Sequence, residues 1–193
     1  NPFTVVSTRP KGGSDVSDAV HPSPESTGIP QLDQILGGLF IGDNVIWYDD
    51  AGSLASTFCM KFIKESQKQK KPVIYVSFDR SLKNLLEKLG PLGHNPNLTI
   101  LDCFTWGKGA GSPIFMKSYS DLQSQWPCQI IRIDEPRGMN GVMDVLYEIH
   151  GTKEGDVRFV FESITGMQEL WGGEEQILNF YSHSCPRLYE LNT

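Results

Sequence analysis

The sequence predicts an α/β domain with a mostly parallel sheet and helices on both faces, and three observations lead there. Short, nearly unbroken apolar runs recur at residues 44–48, 73–78, 98–103, 129–133 and 157–161. A strand that is apolar on both sides is one buried on both faces, as in parallel sheets. Stretches with apolar residues at helical spacing separate these runs, and Gly, Pro or Ser clusters punctuate the boundaries. That alternation is the signature of strand–helix–strand units, in which crossover helices cover the sheet.

The elements follow in order. Residues 30–36 read as a short helix, with Pro30 in the first turn and Gly37 just past the end. NVIWY at 44–48 is a compact strand. Residues 56–70 form a helix whose apolar side carries Phe58, Phe62 and Ile63, with lysines in the last turn, where the macrodipole favours cations. A strand at 73–78 leads to a helix from Ser81 through Leu82, Leu85, Leu86 and Leu89 to Gly90. The strand at 98–103 precedes a Gly/Ser loop at 107–113 and a helix at 114–126, stopped by Pro127. The strand at 129–133, a helix at 138–150, the strand at 157–161 and a last long helix at 172–185, ending at Pro186, complete the pattern. Residues 1–25 hold Pro2, Pro10, Pro22 and Pro24 among Ser, Thr and Asp, with strand material only at 3–6, and read as a flexible linker or N-terminal extension. The globular domain is assigned to 26–193, with a sheet truncated at the C-terminal end as the alternative to a complete one.

The chain has 193 residues, 17 Lys and Arg against 23 Asp and Glu, and a net charge of −6. This length suits one domain. The acidic balance argues against binding nucleic acid or an anionic membrane through the whole surface. No apolar run approaches the roughly 20 residues of a membrane span. The chain begins at Asn1 without a leader, which predicts a piece of a longer, cytoplasmic protein. Cys59, Cys103, Cys128 and Cys185 are widely spaced, as buried thiols rather than a disulfide framework or zinc site would be.

Four segments in series resemble one family. STGIPQLDQILGG at 26–38, the Gly42-Asp43 turn into the strand ending at Tyr48, PVIYVSFD at 72–79, and VRFVFES at 157–163 resemble the KaiC/RadA branch of the RecA-like P-loop ATPases. The resemblance implies a three-layer α/β/α sandwich with a mostly parallel sheet. It also implies ATP with Mg²⁺, held by a phosphate loop of the form G-x-x-x-x-G-K-[ST]. There, backbone amides wrap the β-phosphate, the Lys meets the β/γ oxygens, and the hydroxyl holds the metal.

At the matching positions this chain reads DDAGSLAS, from Asp49 to Ser56. Asp49 replaces the first Gly, Leu54 the second, and Ala55 the lysine. Gly52, Ser53, Ser56 and Thr57 are what remains for binding a phosphate, helped by a helix N-terminus. A charge about 4 Å away is worth roughly 4 kcal/mol at an effective dielectric of about 20. Losing the lysine while adding Asp49 and Asp50 therefore costs several kcal/mol, and no tightly bound cofactor is expected; ATP with Mg²⁺ would bind at low affinity. The family's catalytic carboxylates fall at Asp79, where the second member of the pair is Arg80, and at Glu162, which stands for the Walker B aspartate. Asp79 and Glu162 are remnant candidates for catalysis; Ser56 and Glu162 would hold Mg²⁺ if it bound.

Other residues read as structural. Asp134, Glu135 and Arg137 surround Pro136 in a solvated turn at a strand's carboxyl end. TWGKGAGS at 105–112 lacks G-K-[ST] and reads as a mobile surface loop, with Trp106 and Lys108 as possible partner contacts. His21, His94, His150 and His183 share no ligand spacing. Lys61, Lys64, Lys68, Lys70 and Lys71 read as a solvated helix end, and Met139, Met143, Leu146 and Ile149 as core. The sequence therefore predicts a non-catalytic RecA/KaiC-like domain, a pseudo-ATPase acting as a regulatory or protein-interaction module in a signalling or transcription-control protein. A protein partner or self-association is expected. The alternatives are a divergent ATP-binding protein or slow ATPase using the remnant loop, and a DNA-binding, recombinase-like module.

Overall fold

In the computed structural model, residues 3–8, 24–49, 54–191 and 193 are described, with 3–8 and 49 as backbone alone. Strand β1 (Phe3–Thr8) pairs antiparallel with β2 (Asn44–Asp49), Phe3 opposite Asp49 and Thr8 opposite Asn44. The strand expected first in the parallel sheet therefore takes its hydrogen bonds from the N-terminal segment. An apolar pattern specifies that a segment is a strand, not which edge it joins.

Helix α1 (Pro30–Leu36) is fixed by the turn before it. The Asp33 carboxylate accepts hydrogen bonds from Thr27 N (2.8 Å), Thr27 Oγ1 (2.7 Å) and Ser26 Oγ (2.5 Å). Gly28 has φ +81°, and a Cβ there would lie 2.5 Å from the Lys61 carbonyl oxygen. The glycine thus lets this turn press directly on helix α2 (Leu54–Lys68).

The remaining elements alternate strand and helix: β3 (Val73–Ser77), α3 (Leu82–Leu89), β4 (Leu98–Asp102), α4 (Pro113–Leu122), β5 (Gln129–Arg132), α5 (Met139–His150), β6 (Arg158–Glu162) and α6 (Ile164–Trp171). The four strands from β3 onward form one parallel sheet in the order β5-β4-β3-β6. The chain moves outward from β3 to β5, then returns to lay β6 on the other side of β3. Side-chain alternation along β3 divides the core between the two faces. Val73 and Tyr75 pack with Ile63 of α2, the leucines of α3 and Tyr119 of α4. Ile74, Val76 and Phe78 pack with Val142 and Leu146 of α5, Met167 and Trp171 of α6, and Phe180. The result is the expected three-layer α/β/α arrangement, RecA-like in its parallel sheet and covering helices.

The C-terminal region differs from expectation. Helix α6 was not anticipated; it is defined by caps rather than by a long apolar stripe, with Ser163 Oγ accepting from Gly166 N (3.0 Å) and Gly172 at φ 90° closing it. The final helical region is α7 (Glu174–Asn179), a π-helical turn (Phe180–Ser184) and α8 (Cys185–Glu190), which continues past Pro186. Proline has no N–H, and its ring meets the carbonyl four residues back; the wider π turn just before it relaxes both constraints. Among the described residues no helix is long and apolar enough to cross a membrane.

Candidate functional site

In open α/β sheets ligands gather outside the carboxyl ends of the strands, where the strand order reverses. Here that place lies between β3 and β6, and both carboxylates that the resemblance singled out, Asp79 and Glu162, are found there. Ser77 stands opposite Glu162 in the pairing, and Phe78 N donates to the Glu162 carbonyl (2.8 Å). Glu162 ends β6, and Asp79 follows β3 by two residues.

The Glu162 carboxylate turns toward the α2/α3 side and is already partnered. Its Oε2 accepts from Tyr75 Oη at 2.5 Å. Its Oε1 accepts from Arg80 Nε at 2.8 Å and from Lys88 Nζ at 2.7 Å. Only 15% of the side chain is exposed. Burial pushes this carboxyl up, but the hydrogen bonds from Lys88, Tyr75 and Arg80 outweigh it and hold the group below the ordinary glutamate range. The same contacts raise the guanidinium of Arg80, first through its hydrogen bond to Glu162. Cys59, one turn along α2 from Ala55 and Ser56, has its thiol pushed up to about 11 by burial and by the Glu162 charge.

Asp79 belongs to a separate cluster. It accepts from Lys108 Nζ and from Ser163 Oγ, and Lys108 also pairs with Glu169 of α6 at 2.5 Å. Desolvation lowers the Lys108 ammonium, but its bonds to Asp79 and Glu169 win and raise it. Gly166 makes this packing feasible, since a Cβ there would lie 2.5 Å from Asp79 Oδ2. The two carboxylates thus sit at neighbouring strand ends in two distinct ion clusters.

Of the residues that the resemblance implies for a phosphate loop, Ser56 and Thr57 lie near the start of α2, half-buried and exposed respectively. Gly52 and Ser53 fall outside the described residues. Ala55, where the resemblance would put a lysine, is in the same first turn.

The loop at 103–112 is tied down rather than splayed. Asp102 Oδ1 accepts from Phe104 N (2.9 Å) and Thr105 N (3.0 Å), and Gly111 at φ +66° lies beneath the Trp106 ring. Arg137 donates to the Gly107 carbonyl (2.9 Å), Asp134 pairs with Arg132, and the Pro136 carbonyl accepts from Trp171 Nε1 (3.0 Å). The acidic turn after β5 is therefore engaged in structure. Among the described residues no group of three or more His, Cys, Asp or Glu is placed to hold a metal ion.

Sequence reasoning missed Tyr75, Lys88 and Ser163, and treated Lys108 as an outward contact. A signal was present in the replacement of the family's second carboxylate by Arg80, because a cation at that place needs an anion to meet it.

A family model for "ATPase: KaiC" matches residues 25–102, from the segment before α1 through β4. The resemblance to KaiC-type RecA-like ATPases holds over that stretch, which includes Asp79 and excludes Glu162. No curated protein matches the chain. The match is compatible with ATP and Mg²⁺. Both Glu162 oxygens already accept hydrogen bonds, Oε1 from Lys88 and Arg80 and Oε2 from Tyr75, so a divalent ion at this carboxylate would compete with them.

Proposed function

We propose that the chain is a non-catalytic KaiC-like domain, a regulatory or protein-interaction module that keeps the RecA-like scaffold without hydrolysing ATP. The observation that carries this reading is the state of the two family carboxylates. Glu162 is held by Tyr75, Arg80 and Lys88, and Asp79 by Lys108 and Ser163. A general base must accept a proton from water, and a carboxylate already accepting from two or three donors is a poor one. The phosphate-loop lysine position is Ala55, so the charge that would meet a β/γ-phosphate is missing as well.

In this reading the partner is another protein or a second copy of the chain, the setting is the cytoplasm, and the longer protein serves signalling or transcription control. Nucleic acid is the weakest of the candidate partners in this reading, since the chain is acidic and Lys68 and Lys71 of its basic stretch are paired with Glu65, Asp156 and Glu25.

Calorimetric titration of ATP and ADP with Mg²⁺ tests the proposal. Dissociation constants in the millimolar range or weaker are expected, and tens of micromolar or tighter would overturn it. One observation favours a second reading, a divergent ATP binder: Ser56 and Thr57 stand near the start of α2, where the helix dipole favours an anion. The triple change Asp49→Gly, Leu54→Gly and Ala55→Lys restores affinity if the loop keeps the family's shape.

A further inference from the structure

Among the described residues β5 has a neighbouring strand on one side only, so it is an edge of the parallel sheet. Every second residue of an edge strand turns its backbone N–H and C=O away from the sheet, where another chain can pair with them. Register fixes which residues these are. Arg132 is opposite Asp102, and Ile133 N donates to the Asp102 carbonyl (3.0 Å). Ile131 and Ile133 therefore turn their backbone groups toward β4, and Ile130 and Arg132 turn theirs outward. One side chain occupies this outer row. The Tyr119 hydroxyl, from α4, accepts from Arg132 N (3.0 Å) and donates to the Ile130 carbonyl (3.4 Å). Strand β6 makes the same two kinds of contact with β3. There the Glu162 carbonyl, opposite Ser77, accepts from Phe78 N (2.8 Å), and Arg158 N, opposite Val73, donates to the Pro72 carbonyl (2.9 Å). A hydroxyl is donor and acceptor at once, so Tyr119 makes with one atom the pair of bonds that one residue of a fifth parallel strand would make. Its ring is held too. Tyr119 is 8% exposed, and the Arg132 guanidinium, bonded through Nε to Asp134 (3.0 Å), lies 5.4 Å from the ring centroid.

We propose that Tyr119 is a latch on the β5 edge: its hydroxyl stands in for one residue of a fifth strand, and without it the edge pairs with β5 of a second copy. The strand itself carries nothing else to prevent this. QIIR holds no proline, glycine or acidic residue, and its two isoleucines are only half-buried. A second copy is the partner always at hand, and two such edges are complementary, since each offers both donors and acceptors. The latch thus removes strand addition at β5 from the routes by which the chain meets other proteins. This holds whether or not the domain hydrolyses ATP, so it stands independently of the non-catalytic reading.

Hydrogen exchange on the unaltered chain reads the latch directly. The Ile130 and Arg132 amides both face outward, but only that of Arg132 has an acceptor. The Ile130 amide is expected to exchange about tenfold faster or more. In Tyr119→Phe, which keeps the ring, the Arg132 amide is expected to lose its protection while the Ile131 and Ile133 amides keep theirs. Sedimentation velocity over a concentration series tests the consequence. Tyr119→Phe is expected to associate at a concentration about tenfold below that of the unaltered chain or lower. Adding Ile130→Pro is expected to reverse this, because a proline there blocks strand addition without removing a bond to β4. Equal exchange of Ile130 and Arg132 in the unaltered chain would overturn the latch, whatever the variants do. Association of Tyr119→Phe no stronger than that of the unaltered chain, or association that Ile130→Pro leaves intact, would overturn its role in keeping copies apart.

Discussion

Glu162 is a carboxylate with three donors, two of them cations, on a strand end that is mostly screened from water. Removing its charge strands Lys88 and Arg80. Breaking a fully buried pair costs roughly 3–5 kcal/mol. Because Arg80 is 44% exposed and screened, Glu162→Gln is expected to cost less, about 2 kcal/mol in urea unfolding at neutral pH. The same residue gives a pH signature. Its folded pKa lies below the ordinary value of 4.5, so its contribution is complete above that pH and is lost as the pH falls toward the lowered value. Asp33, where burial raises and the bonds from Ser26 and Thr27 more than offset it, acts in the same sense below its ordinary 3.8. Stability measured from pH 6 to pH 3 should therefore fall on the acid side, and Glu162→Gln should flatten part of that slope. An unchanged slope would mean that the cluster does not form as described.

The elements around the site depend on small residues at fixed places. Ser163 caps α6 and also donates to Asp79, so Ser163→Ala removes a cap worth about 1 kcal/mol and one of Asp79's partners together. Gly28→Ala puts a Cβ against the Lys61 carbonyl at a positive φ. A loss of about 1–3 kcal/mol is expected, from strain and a displaced α2, and is measurable as a lowered urea midpoint. These positions also show what was legible in advance. Strands β3 to β6 and helices α1 to α5 were readable within a few residues, because an unbroken apolar run or a leucine stripe has one comfortable fate. Helix α6 was not, because ITGMQELW carries a central glycine and owes its boundaries to Ser163 and Gly172. The extension through Pro186 was hidden because a proline ordinarily ends a helix, and the π turn that admits it leaves no mark in periodicity. At the candidate site, Asp79 and Glu162 were singled out by position, and the structure puts both at the carboxyl ends of neighbouring strands. Their partners were not, since Tyr75 and Lys88 look like a core residue and a helix-end lysine until the register places them beside Glu162.

Across the whole molecule, burial is concentrated at the middle of the sheet. Every residue of β3 and β4 is buried, while β5 is half-buried to exposed. Local opening is easiest where few buried contacts must break. In hydrogen exchange the amides of β3 and β4 should be the slowest to exchange and those of β5 clearly faster. Comparable rates across all four strands would contradict the arrangement. A further consequence concerns time rather than stability. Tyr75 and Glu162, joined by a hydrogen bond across neighbouring strands, lie 87 positions apart in the chain. Such distant partners must close a long loop before they gain anything, so sheets of this kind fold slowly. On the ribosome β3 is finished well before β6 exists, and one side of the central strand stays open to whatever else can pair with it. The hydrogen bond that holds Glu162 to Tyr75 is thus one of the last the chain can make.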